Sequence, residues 1–179
     1  MYPYPMRLAA ALFLALTPTL LAAQDASMPA KAPVPPSKSL NVTFQGRLTT
    51  LKVEDLLALP QVTVHVHNAH RNADETYSGP LLSDVLAKAG LTASKETEPL
   101  ILHSAIIATA TDHYFVLYSA AEAEPMFTNG QVIVAVMKSG LPDTEGGLIQ
   151  LINTNAARPA RWVHGLSDIN VMTVGPTTH

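Results

Sequence analysis

The sequence predicts an α+β fold that is mostly β sheet with two to three short helices. Short apolar or β-branched runs, which are typical of strands, recur from residue 40 onward. Only three segments look helical. Strands and helices do not alternate regularly, which favours a curved, largely antiparallel sheet over a parallel one built from βαβ units.

The chain begins with a predicted export signal. Arg7 is followed by an apolar run that is too short to span a membrane, and then by the small residues Ala22 and Ala23. This order predicts a secretory signal peptide over residues 1–23. An uncleaved membrane anchor is the alternative, which the short run and its interruption by Pro18 disfavour.

A proline-rich segment separates this signal from the predicted domain. Residues 24–39 contain four prolines and no large aliphatic side chain except Val34, so they are predicted to form a semi-extended linker. The domain is predicted over residues 40–174, and residues 175–179 form a short tail. About 135 residues are enough to bury the apolar core on which an exported protein without disulfides depends.

Two helices are predicted in the first half of the domain. Residues 53–59 have apolar side chains at helical spacing, acidic residues in the first turn and Pro60 as a stop. Residues 79–91 form the clearest helix, with one apolar face and Gly90 at its carboxyl end. The predicted strands here are LNVTF (40–44), TTLKV (49–53) after a turn at Gly46, and QVTVHVHNA (61–69).

The second half is predicted to be mostly strands. AAEAEPMF (120–127) is the third helical segment, and SGLPDTEGG (139–147) is a turn-rich loop. The strand-like runs, separated by polar breaks, are PLILH (99–103), AIIATA (105–110), HYFVLYS (113–119), QVIVAVM (131–137), LIQLIN (148–153) and DINVMTV (168–174).

Charge and cysteine content exclude several classes of protein. Once Arg7 is removed with the signal, ten basic residues stand against fourteen acidic ones, a net charge of −4. That charge gives no reason to expect nucleic acid as a partner. The chain has no cysteine, hence no disulfide, thiol nucleophile or thiolate metal ligand. It also contains neither a G-x-S-x-G elbow nor a glycine-rich phosphate loop.

Three histidines follow one another in the third predicted strand and the loop after it. His65 and His67 point to one face of the strand, a geometry that suits metal ligands, and His70 lies in the loop. The same pattern also occurs on polar strand faces and around ligand pockets. We favour that second interpretation and predict no metal ligands.

Two further stretches combine aromatic and charged residues. Asp112 and Tyr114 form either a plain hairpin turn, in which the carboxylate caps backbone N–H groups, or a turn that presents both side chains to a pocket. Arg161 precedes Trp162, the single tryptophan. The pair is either a core tryptophan beside a surface arginine or one wall of a site for a flat, polar ligand.

The order of these segments resembles the sulfite-oxidase-type molybdopterin-binding domain in its small, exported, single-domain form. The resemblance spans residues 40–174 and is most specific at YSGPLLSDVL (77–86) and RPARWV (158–163). The family usually shows Asp-Gly-Tyr, Asn/Asp-Gly-x-Pro and Gly-Pro motifs. Here they read Asp-His-Tyr at 112–114, Ser-Gly-Leu-Pro at 139–142 and Gly-Leu at 147–148.

The largest departure concerns the metal. The molybdenum-ligating cysteine of the catalytic members is absent, and its counterpart lies near Asn68. Without that thiolate, the metal loses its one sulfur ligand from the protein. The resemblance therefore implies a non-catalytic protein of the periplasm that binds a reduced pterin, without molybdenum, and relays its signal to a membrane-bound enzyme of cyclic di-GMP metabolism.

The resemblance also implies roles for individual residues in pterin binding. Trp162 would stack on the ring, Arg161 would contact the carbonyl or hydroxylated side chain, and Asp112 would accept from the 2-amino group and ring N–H. The rim of the site would consist of Tyr114, His70 and Arg71. Two alternatives stay open: a molybdopterin-dependent oxidoreductase with a non-cysteine ligand, and an interaction module that binds no ligand.

Overall fold

The computed structural model describes residues 35–175 of the 179-residue chain. The predicted signal peptide, residues 24–34 of the linker and residues 176–179 of the tail lie outside the described part. Within residues 35–175, no helix has the length and apolar character needed to cross a membrane.

The described chain forms eleven strands, four short α-helices and one 3₁₀ turn, so the predicted α+β class is confirmed with more helices than expected. The strands are β1 (Ser39–Phe44), β2 (Arg47–Lys52), β3 (Val62–Asn68), β4 (Ala73–Gly79), β5 (Ser104–Ala110), β6 (Phe115–Ser119), β7 (Val132–Ala135), β8 (Met137–Lys138), β9 (Gln150–Asn153), β10 (Val163–His164) and β11 (Leu166–Thr173). The helices are α1 (Val53–Leu57), α2 (Leu82–Lys88), α3 (Glu98–Leu102) and α4 (Ala120–Ala123), and the 3₁₀ turn is Pro159–Arg161.

Local sequence accounts for the ends of several elements. Gln45 and Gly46 both have positive φ, as a two-residue hairpin turn between β1 and β2 requires. Ser119 and Glu122 form a capping box at the start of α4, in which the Ser119 Oγ accepts from the Ala121 amide and the Ser119 amide donates to Glu122. Gly90, at a φ of +99°, follows α2 as predicted.

One predicted strand is wrong. PLILH, residues 99–103, is almost entirely within helix α3. Its proline sits in the first turn, where the missing N–H costs nothing and the fixed φ favours a helix. Because the run is short and uniformly apolar, its periodicity does not distinguish a buried helix from a buried strand.

The largest sheet has five strands in the order β2-β1-β11-β5-β6. The β1–β11 pair is parallel, and the other neighbours are antiparallel. Strand β11 is the last in the chain and lies in the middle of the sheet, between β1 and β5. The inner face packs on α2 and forms the main apolar core with side chains such as Leu40, Ile106 and Val85.

Two three-stranded sheets complete the domain, with the orders β3-β4-β8 and β10-β9-β7. Buried side chains from both sheets form a second, smaller core. Its members are Val64, Tyr77, Ile133, Ala135, Ile152 and Trp162.

The end of the predicted linker belongs to the folded part. Ser37 is buried; its amide donates to the Gly147 carbonyl at 2.9 Å and its hydroxyl to the Leu166 carbonyl. Gly147 has a φ of +82°, and a Cβ there would lie 2.6 Å from the Cα of Gly165. The close approach of these backbones therefore requires glycine at position 147.

Candidate functional site

Trp162 belongs to the second core. Its side chain is 2% exposed, its ring meets Tyr77 edge-on at 6.1 Å between centroids, and its Nε1 donates to the Asn153 carbonyl at 3.1 Å. A ring enclosed in this way has no open face for a ligand. The structure thus places Trp162 where it packs the core, and not where the predicted stacking platform would need to be.

Arg161 lies on a different side of the chain from Trp162. Its guanidinium lies 4.7 Å from the centre of the Tyr118 ring and 2.9 Å from Glu122, and it donates to the Leu117 carbonyl of strand β6. The Tyr118 hydroxyl donates back to the Arg161 carbonyl. We call Tyr114, Tyr118, Glu122 and Arg161 the Arg161 cluster.

Asp112 and Tyr114 fit the hairpin-turn interpretation. The Asp112 carboxylate accepts from the Tyr114 amide at 3.0 Å, and both side chains are exposed. The Tyr114 hydroxyl donates to the Ala160 carbonyl, which brings it beside Arg161. The structure therefore brings Tyr114 and Arg161 together, with Asp112 in the adjoining turn, but does not bring Trp162 to them.

The densest buried polar arrangement surrounds Glu75 on the inner face of strand β4. Its carboxylate, 6% exposed, accepts from Lys138 at 2.6 Å, from Asn68 at 2.8 Å and from the Tyr77 hydroxyl at 2.9 Å. The guanidinium of Arg71 lies 3.7 Å away and is 57% exposed. We call these five residues the Glu75 network.

The pKa of Glu75 reflects this surrounding. Burial would raise it, but the hydrogen bonds from Lys138, Asn68 and Tyr77, together with the Lys138 charge, lower the pKa below its ordinary value. Glu75 is therefore a buried, ionised carboxylate held by its neighbours. Burial and the hydrogen bond to Glu75 raise the pKa of Tyr77 in turn, so this phenol stays protonated as a donor.

Two of the predicted rim residues lie at the Glu75 network, of which Arg71 is a member and His70 a neighbour in sequence. His70 and Arg71 form the turn after β3, and both amides donate to the Asn68 side-chain oxygen, at 3.1 and 3.2 Å. The turn holds Arg71 over the buried carboxylate while leaving its outer surface open to solvent. His70 and Arg71 thus lie together, apart from the Arg161 cluster in the contacts that the structure shows.

A third polar group links the loop before β9 to β10. Gln150 is 1% exposed; its amide donates to Asp143 at 2.9 Å and its oxygen meets the ring Nδ1 of His164. Asp143 also accepts from the Gly146 amide at 2.9 Å and contributes to raising the pKa of Tyr77. This group therefore lies near the Glu75 network and fixes the loop beside it.

Sequence reasoning missed Glu75 and Lys138 as members of a site. The segment was not predicted to be a strand, although Glu75, Tyr77 and Gly79 occupy alternate, buried positions of β4 in the structure. A charge at such a position must be paired inside the protein.

An open groove of about 530 Å³ lies at one end of the five-stranded sheet. None of the six predicted pterin contacts lines it. Its walls are Leu102, His103, Ser104, Ala105, Leu117, Tyr118, Ser119 and Val174.

Comparison with known proteins shows the fold. The chain is similar to the crystal structure of the sulfane dehydrogenase SoxCD from Paracoccus pantotrophus, with 14% identity and a TM-score of 0.58 over 78% of this chain and 39% of that one. This chain thus spans about two fifths of that protein's length. No protein-family model and no curated protein matches the sequence. The predicted α+β fold is confirmed and is shared with that dehydrogenase, and at this identity the likeness extends to the fold alone.

Proposed function

We propose that this protein is a periplasmic pterin-binding protein that relays a pterin signal to the periplasmic domain of a membrane-bound cyclic di-GMP enzyme, without catalysis of its own. The observation that carries the proposal is the set of hydrogen bonds that Asn68 makes. By resemblance it stands near the position of the missing metal-ligating cysteine, and both ends of its carboxamide are committed to Glu75 and to the His70–Arg71 turn.

A molybdenum centre does not fit these residues. The chain supplies no thiolate, and Asn68 cannot turn toward a metal without leaving the buried Glu75 carboxylate short of a donor. Among residues 35–175 there is also no group of three or more His, Asp or Glu side chains placed to hold a metal ion. The organic part of the cofactor, the pterin, needs neither a thiolate nor a group of metal ligands.

The rim of the Glu75 network suits the organic ligand better than the Arg161 cluster does. A pterin is a flat bicycle with a donor–acceptor edge, and a guanidinium can stack on its face or donate to its carbonyl. Arg71 is held only by a 3.7 Å ion pair, whereas Arg161 is already committed to Glu122, Tyr118 and Leu117. We therefore assign the ligand to His70 and Arg71, with Arg161 in a structural role.

The signalling part of the proposal rests on the resemblance of the sequence. For a pterin to act as a signal, the bound and free forms of the protein must differ in their affinity for the partner. A ligand bound at His70 and Arg71 would change the conformation of the turn that follows β3, and so the surface that this turn exposes to a partner. That surface is where we expect the difference to arise.

The test is a titration of the purified protein with dihydro- and tetrahydropterin. Trp162 is a built-in reporter because it contacts Tyr77 of the Glu75 network. We expect quenching of its fluorescence and a higher melting temperature. Arg71→Ala should weaken binding by at least tenfold, while the matched variant Arg161→Ala should bind as the wild type does.

Each contrary result has a definite meaning. If no pterin changes the fluorescence or the melting temperature of the wild type, the proposed function is wrong. If Arg161→Ala loses binding and Arg71→Ala does not, the ligand lies in the Arg161 cluster and our assignment of the site is wrong. Stoichiometric molybdenum in protein isolated from its native host would contradict the non-catalytic role.

The ligand-free interaction module is the second candidate, and one observation favours it. No buried side-chain nitrogen or oxygen in the described part of the chain lacks a hydrogen-bond partner. The Glu75 network is therefore complete without a ligand. This candidate predicts that Arg71→Ala changes stability only, and that native mass spectrometry finds no bound heterocycle.

A further inference from the structure

The outer face of strands β3 and β4 carries two exposed histidines. His65 and His67 stand two residues apart on β3, both are exposed, and both point away from the core side on which Val64 is buried. Their partners in register on β4 are Thr76 and Asp74. This face lies on the opposite side of β4 from Glu75, since side chains alternate along a strand.

Each imidazole is held by a hydrogen bond across the strand pair. The Nδ1 of His67 lies 2.8 Å from the Asp74 carboxylate, and the Nδ1 of His65 lies 2.9 Å from the Thr76 hydroxyl. A carboxylate accepts only, so it keeps the proton of neutral His67 on Nδ1 and the lone pair on Nε2. Carboxylate–histidine pairs of this kind orient the imidazoles of metal sites.

The spacing of His65 and His67 along the strand suits a single ion. Residues two apart on a strand are separated by roughly 6.7 Å at their Cα atoms. Metal–nitrogen bonds of about 2.0–2.1 Å place two ligating nitrogens on one ion when the rings tilt modestly toward each other. The rings stand on a paired strand, so little backbone rearrangement is needed.

We propose that His65 and His67 form a binding site for a divalent transition-metal ion, through the Nε2 atom of each ring, with Asp74 as the positioning residue behind His67. Imidazole ligands select Cu²⁺, Zn²⁺ and Ni²⁺, and Cu²⁺ binds the most tightly of the three. The described residues offer no third protein ligand, so water fills the remaining positions. The ion is therefore exchangeable and leaves open positions for a further ligand.

The site is independent of the proposed pterin site. Its side chains lie on the outer face of β4, while the Glu75 network lies on the inner face. A variant at the histidine pair should therefore keep its response to pterin, and Arg71→Ala should keep its response to metal. Failure of either proposal leaves the other standing.

The experiment is calorimetric titration of the chelator-treated full chain with ZnCl₂ and with CuCl₂. We expect one ion per chain and tighter binding of Cu²⁺. His65→Ala and His67→Ala should each weaken binding by at least tenfold. Asp74→Asn should weaken it by about tenfold, since loss of a partner behind a metal ligand costs roughly 10–100-fold in affinity.

His103→Ala is the matched control, because His103 is also exposed but lies at the end of α3. It should bind both ions as the wild type does. Circular dichroism of each variant verifies that it is folded. The proposal is overturned if the wild type binds neither ion, if His65→Ala or His67→Ala binds as tightly as the wild type, or if His103→Ala loses binding.

Discussion

The Glu75 network and the Arg161 cluster contain the same types of side chain but differ in how deeply these are buried. Each joins a glutamate, an arginine and a tyrosine whose hydroxyl donates to an oxygen. The Glu75 side chain is 6% exposed and has four polar neighbours, whereas the Glu122 side chain is 42% exposed and pairs with one arginine. The first arrangement is a buried charge that the fold must satisfy, and the second is a surface contact that solvent can replace.

Their places in the fold explain the difference. Glu75 faces inward from the middle strand of a small sheet. Arg161 and Glu122 lie at β6, an edge strand of the large sheet, and bind the Leu117 carbonyl and the Ser119 amide. Polar groups on such an edge discourage pairing with another chain. Arg161, beside the tryptophan, thus contacts a carbonyl of an edge strand, while Arg71, beside the buried carboxylate, keeps an exposed guanidinium.

The largest difference in stability should appear when the glutamate of each region, Glu75 or Glu122, is replaced. Glu75→Ala leaves Lys138 without its partner and Asn68 and Tyr77 without an acceptor, and we expect a loss of about 3–5 kcal/mol in the free energy of unfolding. Glu122→Ala should cost about 1 kcal/mol or less. Urea denaturation measures both, and equal losses would show that burial does not separate the two regions.

A smaller effect should follow from removing one tyrosine hydroxyl. Tyr77→Phe takes a donor from a buried charge and should cost about 1.5–3 kcal/mol. Tyr118→Phe takes a donor from a neutral carbonyl and should cost about 0.5–1.5 kcal/mol. Thermal and urea unfolding measure the stability that each variant loses. A larger loss for Tyr118→Phe than for Tyr77→Phe would contradict this prediction.

The smallest effect is a dependence on pH. The pKa of Glu75 is lowered on folding, so its stabilising contribution is present above its unfolded pKa and is lost as the pH falls through the folded value. The stability of the wild type should therefore decrease more steeply than that of Glu75→Gln as the pH drops below 4.5, the ordinary value for a glutamate. Parallel curves from pH 7 to pH 3 would contradict the ionised state that we assign to Glu75.

A second titration tests whether both Tyr77 and Tyr118 are buried. Burial raises the pKa of Tyr118 to about 12, although Arg161 counteracts the shift. In alkaline absorbance titration, the wild type should contain one more late-titrating tyrosine than Tyr118→Phe. The same comparison with Tyr77→Phe should also remove a late-titrating group, since burial and Glu75 raise the pKa of Tyr77.

Much of the fold could be predicted from sequence because strand and helix periods are local properties. The run at 61–69 and the helix around Val85 were recognisable in this way. The number of helices and the identity of α3 were not, because a five-residue apolar turn has too few positions to show a period. The parallel pairing of β1 with β11 is a long-range contact that no local pattern encodes.

The candidate site was harder to predict for a physical reason. Adjacent residues were expected to share one pocket, yet the 3₁₀ turn ends at Arg161, and the extended backbone at Trp162 sends the two side chains to different sides. The Glu75 network joins residues up to 70 positions apart through strand pairing. Such neighbours are visible only once the register of β3, β4 and β8 is known.

The central place of β11 has a consequence for biogenesis. Residues 166–173 are synthesised after every other described strand, yet β1 and β5 are connected within the large sheet only through them. In a nascent chain, β1 can pair with β2 and β5 with β6, but each of the two keeps one unpaired edge until β11 has been made. Those two strand edges are open to pairing with other chains during that interval, which makes it the time when aggregation is most favoured.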